Sequence, residues 1–527
     1  MMNYRSMSFH ESYPNLELVR LGAKLGFNDV CFQTEGGTLA PLKDLRKRAD
    51  EKGYFKLAKE LGMTISLWVH ELEDYNKSWG QVTLENDLVW SKIADRYNYI
   101  LTSLMPEIDY LVLTVVEAEI KLTDAILLQK LVTTILGECR KNNKKLIFRS
   151  FVWNPSELLN VKKVIDNIPE DVIIMTKNVP QDWHLRSIDD PLIGNVGNKT
   201  QYVELDIAGE YFRMDNVANC FTDILYKQYN SWREKGCDGI SVRVDRGWHP
   251  AVYQNIVLNE AQEANLWFLG YISTDRDPDK AWRDYAVSTF GEKCADVMIE
   301  VLKPTGEVIA EGLCVERETF GDTREKVPAI SVMQAYEGNT NPRYAYDDVK
   351  KGGTARAYED NEDKIWSNPF HYNWSLFRWD ESFLEPYRKI RRGAPEVIER
   401  KEKNYKVALL KADRSLELIA SVKEKLPRGA YDFFSFKLEE NKYHLIAMCE
   451  IELAWLKCER RLYTDSEEER QKLLSQINMH TDNLKKLNDR KSEKLHCSWK
   501  GKEYYLNRGE YLDIPEFIKM FLKYWKL

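Results

Sequence analysis

The first 250 residues carry carboxylates, cations and large aromatics that suit carbohydrate chemistry if the fold brings them together. In chain order they are His10-Glu11, the Gln33-Thr-Glu-Gly-Gly turn, Trp68-Val-His70-Glu71, Glu117 and Glu119, Arg149, Trp153-Asn154, Lys177-Asn178, Asp182-Trp183-His184, Glu210-Tyr211, and finally Arg243, Asp245, Arg246, Trp248 and His249. Two carboxylates can act as acid and base at a glycosidic oxygen, and tryptophan rings offer flat apolar faces to a pyranose. Arginine and lysine among them suit a sugar that is itself an anion, because a carboxylate seeks a charge-assisted partner. Rival signatures do not compete: there is no G-x-S-x-G and no H-E-x-x-H. The run Gly194-Asn-Val-Gly-Asn-Lys-Thr has the wrong spacing for a phosphate loop. The nine cysteines include no C-x-x-C pair, which argues against a zinc ribbon and a disulfide framework. No metal and no cofactor is expected.

These residues cluster at the ends of short apolar runs. The runs read as strands over Tyr4–His10, Phe27–Gln33, Thr64–His70, Tyr110–Val116, Leu146–Val152, Val172–Lys177, Tyr202–Ile207 and Gly239–Val244. Several are almost wholly apolar, as strands buried on both faces should be. Helical patterns lie between most of them, over Leu16–Leu25, Leu45–Leu61, Leu88–Leu104, Asp124–Cys139, Ser156–Asn167 and Val217–Lys235; only 178–199 lacks one. Eight such units in about 245 residues is the arithmetic of a (β/α)8 TIM barrel. A doubly wound open sheet is the competitor, but it would usually carry an early G-x-G-x-x-G turn, which is missing. In a barrel, working side chains sit at the C-terminal ends of the strands.

The expected organisation is a catalytic barrel over 1–305, closed by helices such as Tyr253–Leu269 and Pro278–Phe290. An irregular segment over 306–383 should pack near the site, and an α-helical C-terminal domain should fill 384–527. Three long helices are expected there, over Tyr387–Lys425, Ala430–Leu462 and Ser466–Asp489, then a short aromatic end. The formal net charge of −7 and the lack of a basic block disfavour nucleic acid as a partner. No apolar run reaches the ~18 residues of a membrane span, and Met-Met-Asn-Tyr-Arg-Ser does not open a signal peptide. The chain as it stands is therefore expected in the cytoplasm; a start trimmed from a longer chain would mean a periplasmic or secreted protein. The charged C-terminal helices are expected to offer a homodimer surface.

The order of motifs adds a resemblance. Phe148-Arg-Ser-Phe-Val-Trp-Asn-Pro, then Lys177-Asn-Val-Pro-Gln-Asp182, then Gly209-Glu210-Tyr211 resembles the α-glucuronidases of glycoside hydrolase family 67. Their pattern runs Arg-Ala-Phe-Val-Tyr, Val-Lys-Asn-Gly-Pro-x-Asp and Gln-Glu-Tyr, with the two carboxylates spaced as Asp182 and Glu210 are. Asn265-Leu-Trp-Phe-Leu-Gly270 and Ser288-Thr-Phe-Gly291 resemble later stretches of the same family. The resemblance implies a catalytic set: Glu117 as general acid, with Asp182 and Glu210 positioning or deprotonating a water. It implies Arg149 and Lys177 as the cations that hold the uronate carboxylate. The reaction implied is inverting hydrolysis of a terminal α-linked uronic acid from a plant or algal oligosaccharide. His10, Trp153, His184 and Trp248 complete the expected substrate contacts. The chain departs from the pattern at Leu113, where the family has a further lysine, at Ala118 and Val179, where it has glycines, and in lacking its N-terminal domain.

Each residue has a plainer reading. Glu119 competes with Glu117 for the acid, since two residues apart on an extended segment they share a side. Asp182 stands in a turn-like Pro180-Gln-Asp, and Glu210 could cap the next helix. Arg149 inside an apolar strand must be paired, so a structural ion pair would also explain it. Trp68, Trp153, Trp183 and Trp248 suit sugar platforms and core packing alike. At the level of function, two alternatives stand beside the uronidase: a catalytically inactive carbohydrate-binding homologue, and a hydrolase of a neutral or galacturonic-type sugar.

Overall fold

Alternate residues of the eight apolar runs do different jobs, and that division builds the architecture. In a computed structural model of the chain they form β1 (Tyr4–Phe9), β2 (Asp29–Thr34), β3 (Thr64–His70), β4 (Tyr110–Thr114), β5 (Lys145–Arg149), β6 (Ile173–Lys177), β7 (Gln201–Asp206) and β8 (Gly239–Arg243). All pair in parallel in sequence order, and β8 returns to β1 to close the barrel. The structure describes residues 2–9, 15–34, 39–71, 75–115, 120, 124–152, 155–179, 189–207, 217–245, 257–313, 395–488, 494–507, 518, 522 and 527. The outward rows, such as Phe9, Phe32, Leu67, Leu113, Phe148, Ile174 and Val242, are buried in one large core with the surrounding helices. The inward rows fill the lumen.

Between the strands lie α1 (Leu16–Leu25), α2 (Leu39–Lys52), α3 (Tyr54–Glu60), α4 (Tyr75–Trp79), α5 (Asp87–Tyr99), α6 (Ala125–Lys141), α7 (Pro155–Asn167) and α8 (Thr222–Glu234). Local signals set several ends. Asn15 accepts from the amides of Glu17 and Leu18 to start α1, and Asp124 caps α6 through Leu127. The single helix expected over Leu45–Leu61 is two, because Gly53 adopts φ 73° and turns the chain between α2 and α3. α5 ends in a π-helical turn over Ile100–Leu104.

After β8 come α9 (Glu263–Ser273), α10 (Pro278–Phe290), α11 (Ala295–Leu302) and α12 (Thr305–Leu313). α12 occupies the first residues of the stretch expected to be irregular; 314–394 lies outside the described residues. The helical region follows as α13 (Pro395–Ser421), α14 (Ala430–Tyr463) and α15 (Glu467–Asn488), then an antiparallel hairpin of β9 (Lys494–Trp499) and β10 (Lys502–Asn507) where only an aromatic end was expected. The helical region is tied to the barrel side of the chain by Ser415 Oγ donating to the Val301 carbonyl at 2.9 Å, by the Lys437–Glu260 ion pair at 2.6 Å and by Trp499 Nε1 donating to the Asn259 carbonyl at 2.8 Å. No helix among the described residues is long and apolar enough to cross a membrane.

The lumen floor is polar and closed. Tyr4 stacks on Tyr202 at 4.2 Å and meets Tyr110 edge-on at 5.4 Å. Asp29, wholly buried, accepts from Tyr4 at 2.9 Å, Thr64 at 2.7 Å and Ser66 at 2.9 Å. Burial outweighs these donors and pushes its carboxyl up to about 6. A raised folded value favours the fold while the group is protonated, so this contribution is full below pH ~4 and is lost as pH rises through about 6. Asp29→Asn is therefore expected to leave the melting temperature unchanged at pH 4 and to stabilise the chain at pH 8 by about 1–3 kcal/mol, as thermal melts at the two pH values would read.

Candidate active site

At the C-terminal end of the barrel the lumen changes from aromatic to charged. Strand alternation puts Arg149 of β5, Lys177 of β6, Glu204 of β7 and Arg243 of β8 on inward rows, and the register pairs Lys177 with Glu204 and Asp206 with Arg243. Glu204 is the hub. Its carboxylate accepts from Arg149 Nε at 2.5 Å and Nη2 at 3.1 Å, and lies 2.8 Å from Arg243 Nη2. Burial alone would raise its carboxyl. The fields of Arg149 and Arg243, the Arg149 hydrogen bonds and nearby Lys177 overcome that and hold it at about 2. Glu204 is ionised at any working pH.

Aromatic faces fix the cations from the sides. The Arg149 guanidinium lies 4.7 Å from the Trp68 ring centre and 4.6 Å from that of Phe151. Arg243 lies 5.1 Å from Trp68, and the Lys177 ammonium 5.0 Å from Phe151. Trp68 is held in turn by Nε1 donating to Thr114 Oγ1 at 2.9 Å. With Nε and Nη2 of Arg149 committed to Glu204 and two rings against the guanidinium, its Nη1 makes no hydrogen bond among the described residues. That leaves the two N–H groups of Nη1, on a guanidinium oriented by Glu204, for an anion. Nearby on the inward rows, Gln33 Oε1 and the hydroxyls of Ser8 and Ser241 are buried without hydrogen-bond partners among the described residues. Gln33 Nε2 lies 3.3 Å from His70 Nε2. Asp206 and Asp245 are also buried at this end. The arrangement can bind an anion together with hydroxyl groups.

Of the residues expected at the site, Arg149 and Lys177 are brought together around Phe151 beside Glu204. Glu117, Asp182, Glu210, His10, Trp153, His184 and Trp248 lie outside the described residues, as do Glu119 and Trp183. Trp68 is no sugar platform: it is completely buried and serves as a floor under two guanidiniums. Glu71 is a structural carboxylate, bonded to Tyr97 and, at 3.3 Å, to Arg96. Leu113, at the position of the missing family lysine, is on an outward row and wholly buried in the helix-facing core. A lysine there would not reach the lumen from this register, whereas Arg243 supplies a third cation from β8. Glu204 was missed. The signal for it was present: Tyr202, Glu204 and Asp206 alternate with apolar residues in β7, as Ser241, Arg243 and Asp245 do in and just after β8.

No protein-family model matches the sequence, and no curated protein matches it. Among solved structures, the chain is similar to a GH138 enzyme targeting pectin rhamnogalacturonan II, with a TM-score of 0.59 and 12% identity over 93% of this chain and 77% of that one. It also aligns with a GH115 4-O-methyl-α-glucuronidase with specificity for decorated arabinogalactans, at a TM-score of 0.44 and 14% identity over 91% of this chain and 58% of the other. The first match extends through the helical region. The chain has the fold of a (β/α)8 barrel followed by a helical C-terminal region, a fold found in glycoside hydrolases.

Proposed function

We propose that this chain is a glycosidase that removes a terminal α-linked uronic acid from a polysaccharide fragment with inversion. The observation that carries the reading is the Arg149–Glu204–Arg243 cluster with Lys177, at the end of the lumen where barrel enzymes work. Burying two guanidiniums against an ionised glutamate, with a lysine in its field, is costly for a purely structural device. An anionic ligand at the free Nη1 of Arg149 would complete the cluster. The motif order that resembles family 67 supplies the remaining roles. Glu117 would protonate the departing oxygen as the C1–O bond breaks. Asp182 or Glu210 would take a proton from water as its oxygen bonds C1 from the opposite face. Inversion requires the acid and base carboxyls ~6.5–9.5 Å apart.

The test is a product assay on a panel of uronic-acid oligosaccharides and neutral counterparts, with proton NMR reading the first anomer released. Release of a β-anomeric uronic acid supports the proposal; retention, or turnover of neutral sugars only, refutes it. Ligand binding with no turnover across the panel would favour the inactive homologue.

Arg149→Ala is expected to raise KM for the uronoside by roughly 30- to 150-fold with little change in kcat, the 2–3 kcal/mol scale of a charged hydrogen bond. Arg243 stays on Glu204 in that variant, which limits the structural damage. The methyl ester of the same substrate, lacking the charge, should lose far less. Equal losses on acid and ester would show that Arg149 does not read the carboxylate.

A further inference from the structure

Sequence periodicity extends α8 back to Val217, but the helix starts at Thr222. Residues 217–221 are instead an irregular strap, buried at every position. A buried strap outside any sheet must find partners for its peptide groups. Four side chains provide them. Gln262 Nε2 donates to the Val217 carbonyl at 3.1 Å. Asn441 accepts from the Ala218 amide at 2.9 Å and donates to the Ala218 carbonyl at 2.7 Å. Asn265 donates to the Asn219 carbonyl at 2.8 Å and accepts from the Phe221 amide at 3.0 Å. Thr305 Oγ1 accepts from the Cys220 amide at 3.0 Å.

Two of these residues present both halves of a carboxamide, so each copies the donor–acceptor pair of a neighbouring strand. They come from distant elements: Gln262 and Asn265 from the start of α9, Thr305 from the start of α12 and Asn441 from α14 of the helical region. The stretch Asn265-Leu-Trp-Phe-Leu-Gly270 has a physical role here. Asn265 grips the strap, and Gly270 lets α9 approach α1, where an added Cβ would lie 2.8–2.9 Å from Leu25. Past Ile207, the strap is the next described chain after β7, which carries Glu204 and Asp206, and it leads into α8.

We propose that Asn441 is a positioning residue of the active site, through which the helical region holds the β7 side of the barrel mouth in place. This role rests on the reading of the lumen as a glycosidase site. The geometry is that of a side-chain clamp: one amide, reaching across 223 residues of sequence, fixes both polar groups of Ala218. The helical region is then a working part of the enzyme and not a passive bundle.

The experiment compares Asn441→Ala and Asn441→Asp with Ser415→Ala in the full chain. Ser415 makes a buried bond between the same two regions, to Val301, and none to the strap. Asn441→Asp keeps the shape and the acceptor but loses the donor, and serves if the alanine variant fails to fold. Expected for the Asn441 variants is a fall in kcat of roughly 10- to 100-fold with KM for the uronoside within about twofold. Amide hydrogen exchange across 217–221 should quicken by about tenfold or more. Ser415→Ala should change neither. Unchanged kcat in a well-folded Asn441 variant, or an equal fall in Ser415→Ala, overturns the positioning role while leaving the glycosidase reading intact. No turnover of any uronoside by the unaltered chain overturns the glycosidase reading itself and the positioning role with it.

Discussion

Glu204→Gln is expected to cost about 3–5 kcal/mol of stability, the scale of breaking a buried ion pair by removing one partner. The reason lies in what stays behind. Arg149 and Arg243 bond this carboxylate and Lys177 lies in its field, and the variant puts a neutral amide in its place. The amide oxygen can still accept from one guanidinium, but its NH2 would point a donor at another. The loss should appear as a drop of roughly 5–15 °C in the apparent melting temperature. Anions should restore part of it, because a ligand that binds only the folded state stabilises it by mass action. Free uronic acid should therefore rescue Glu204→Gln more than it stabilises the unaltered chain, and a neutral sugar should not. The pH dependence has a definite sign. A carboxyl held at about 2 contributes stability above its unfolded value, and this is lost as pH falls from about 4.5 toward 2. Glu204→Gln should lack that part of the acid limb. A variant that melts like the unaltered chain would mean that the cations do not need Glu204.

Much of the barrel was legible because its strands are read twice. Buried on both faces, several of them appear as nearly continuous apolar runs. All eight expected strands correspond to observed ones, with ends shifted by one or two residues in most cases. Helix α1 and helix α10 fall where caps and periodicity put them. The strap at 217–221 was misread as helix because its partners, Asn441, Thr305, Asn265 and Gln262, are far away in sequence. Its side chains fit a helical pattern; its backbone hydrogen bonds do not. Trp68 was left open between sugar platform and core packing for a related reason. Composition identifies an aromatic residue at a strand end, but not that the barrel would place two guanidiniums over it. Glu204 shows the opposite fault. Its period-two spacing with Tyr202 and Asp206 was visible, yet a glutamate inside a strand was not weighed as part of the site.

The other large effect concerns the acid. Glu117→Gln is expected to lower kcat by roughly 10²–10⁴-fold on an unactivated uronoside while leaving KM nearly unchanged, since the amide keeps the shape but cannot deliver a proton. An activated aryl uronoside, whose leaving group needs little protonation, should lose much less; equal losses on both substrates would assign Glu117 another role. Glu119→Gln serves as the control for the competing acid. The cation cluster adds a second expectation. β4, which precedes Glu117 in the sequence, pairs with β5, which carries Arg149. On the proposed reading the acid works beside the uronate, in the field of these cations, and positive charge lowers a carboxyl's pKa and works against an acid that must stay protonated. A bound uronate cancels part of that field. The acid should then titrate at higher pH in the complex than in the free enzyme. The alkaline limb of kcat, which reports the complex, should lie above the alkaline limb of kcat/KM, which reports the free enzyme. In Arg149→Ala the free-enzyme limb should move up and the gap should narrow. Coincident limbs in the unaltered enzyme would mean that substrate charge does not tune the acid.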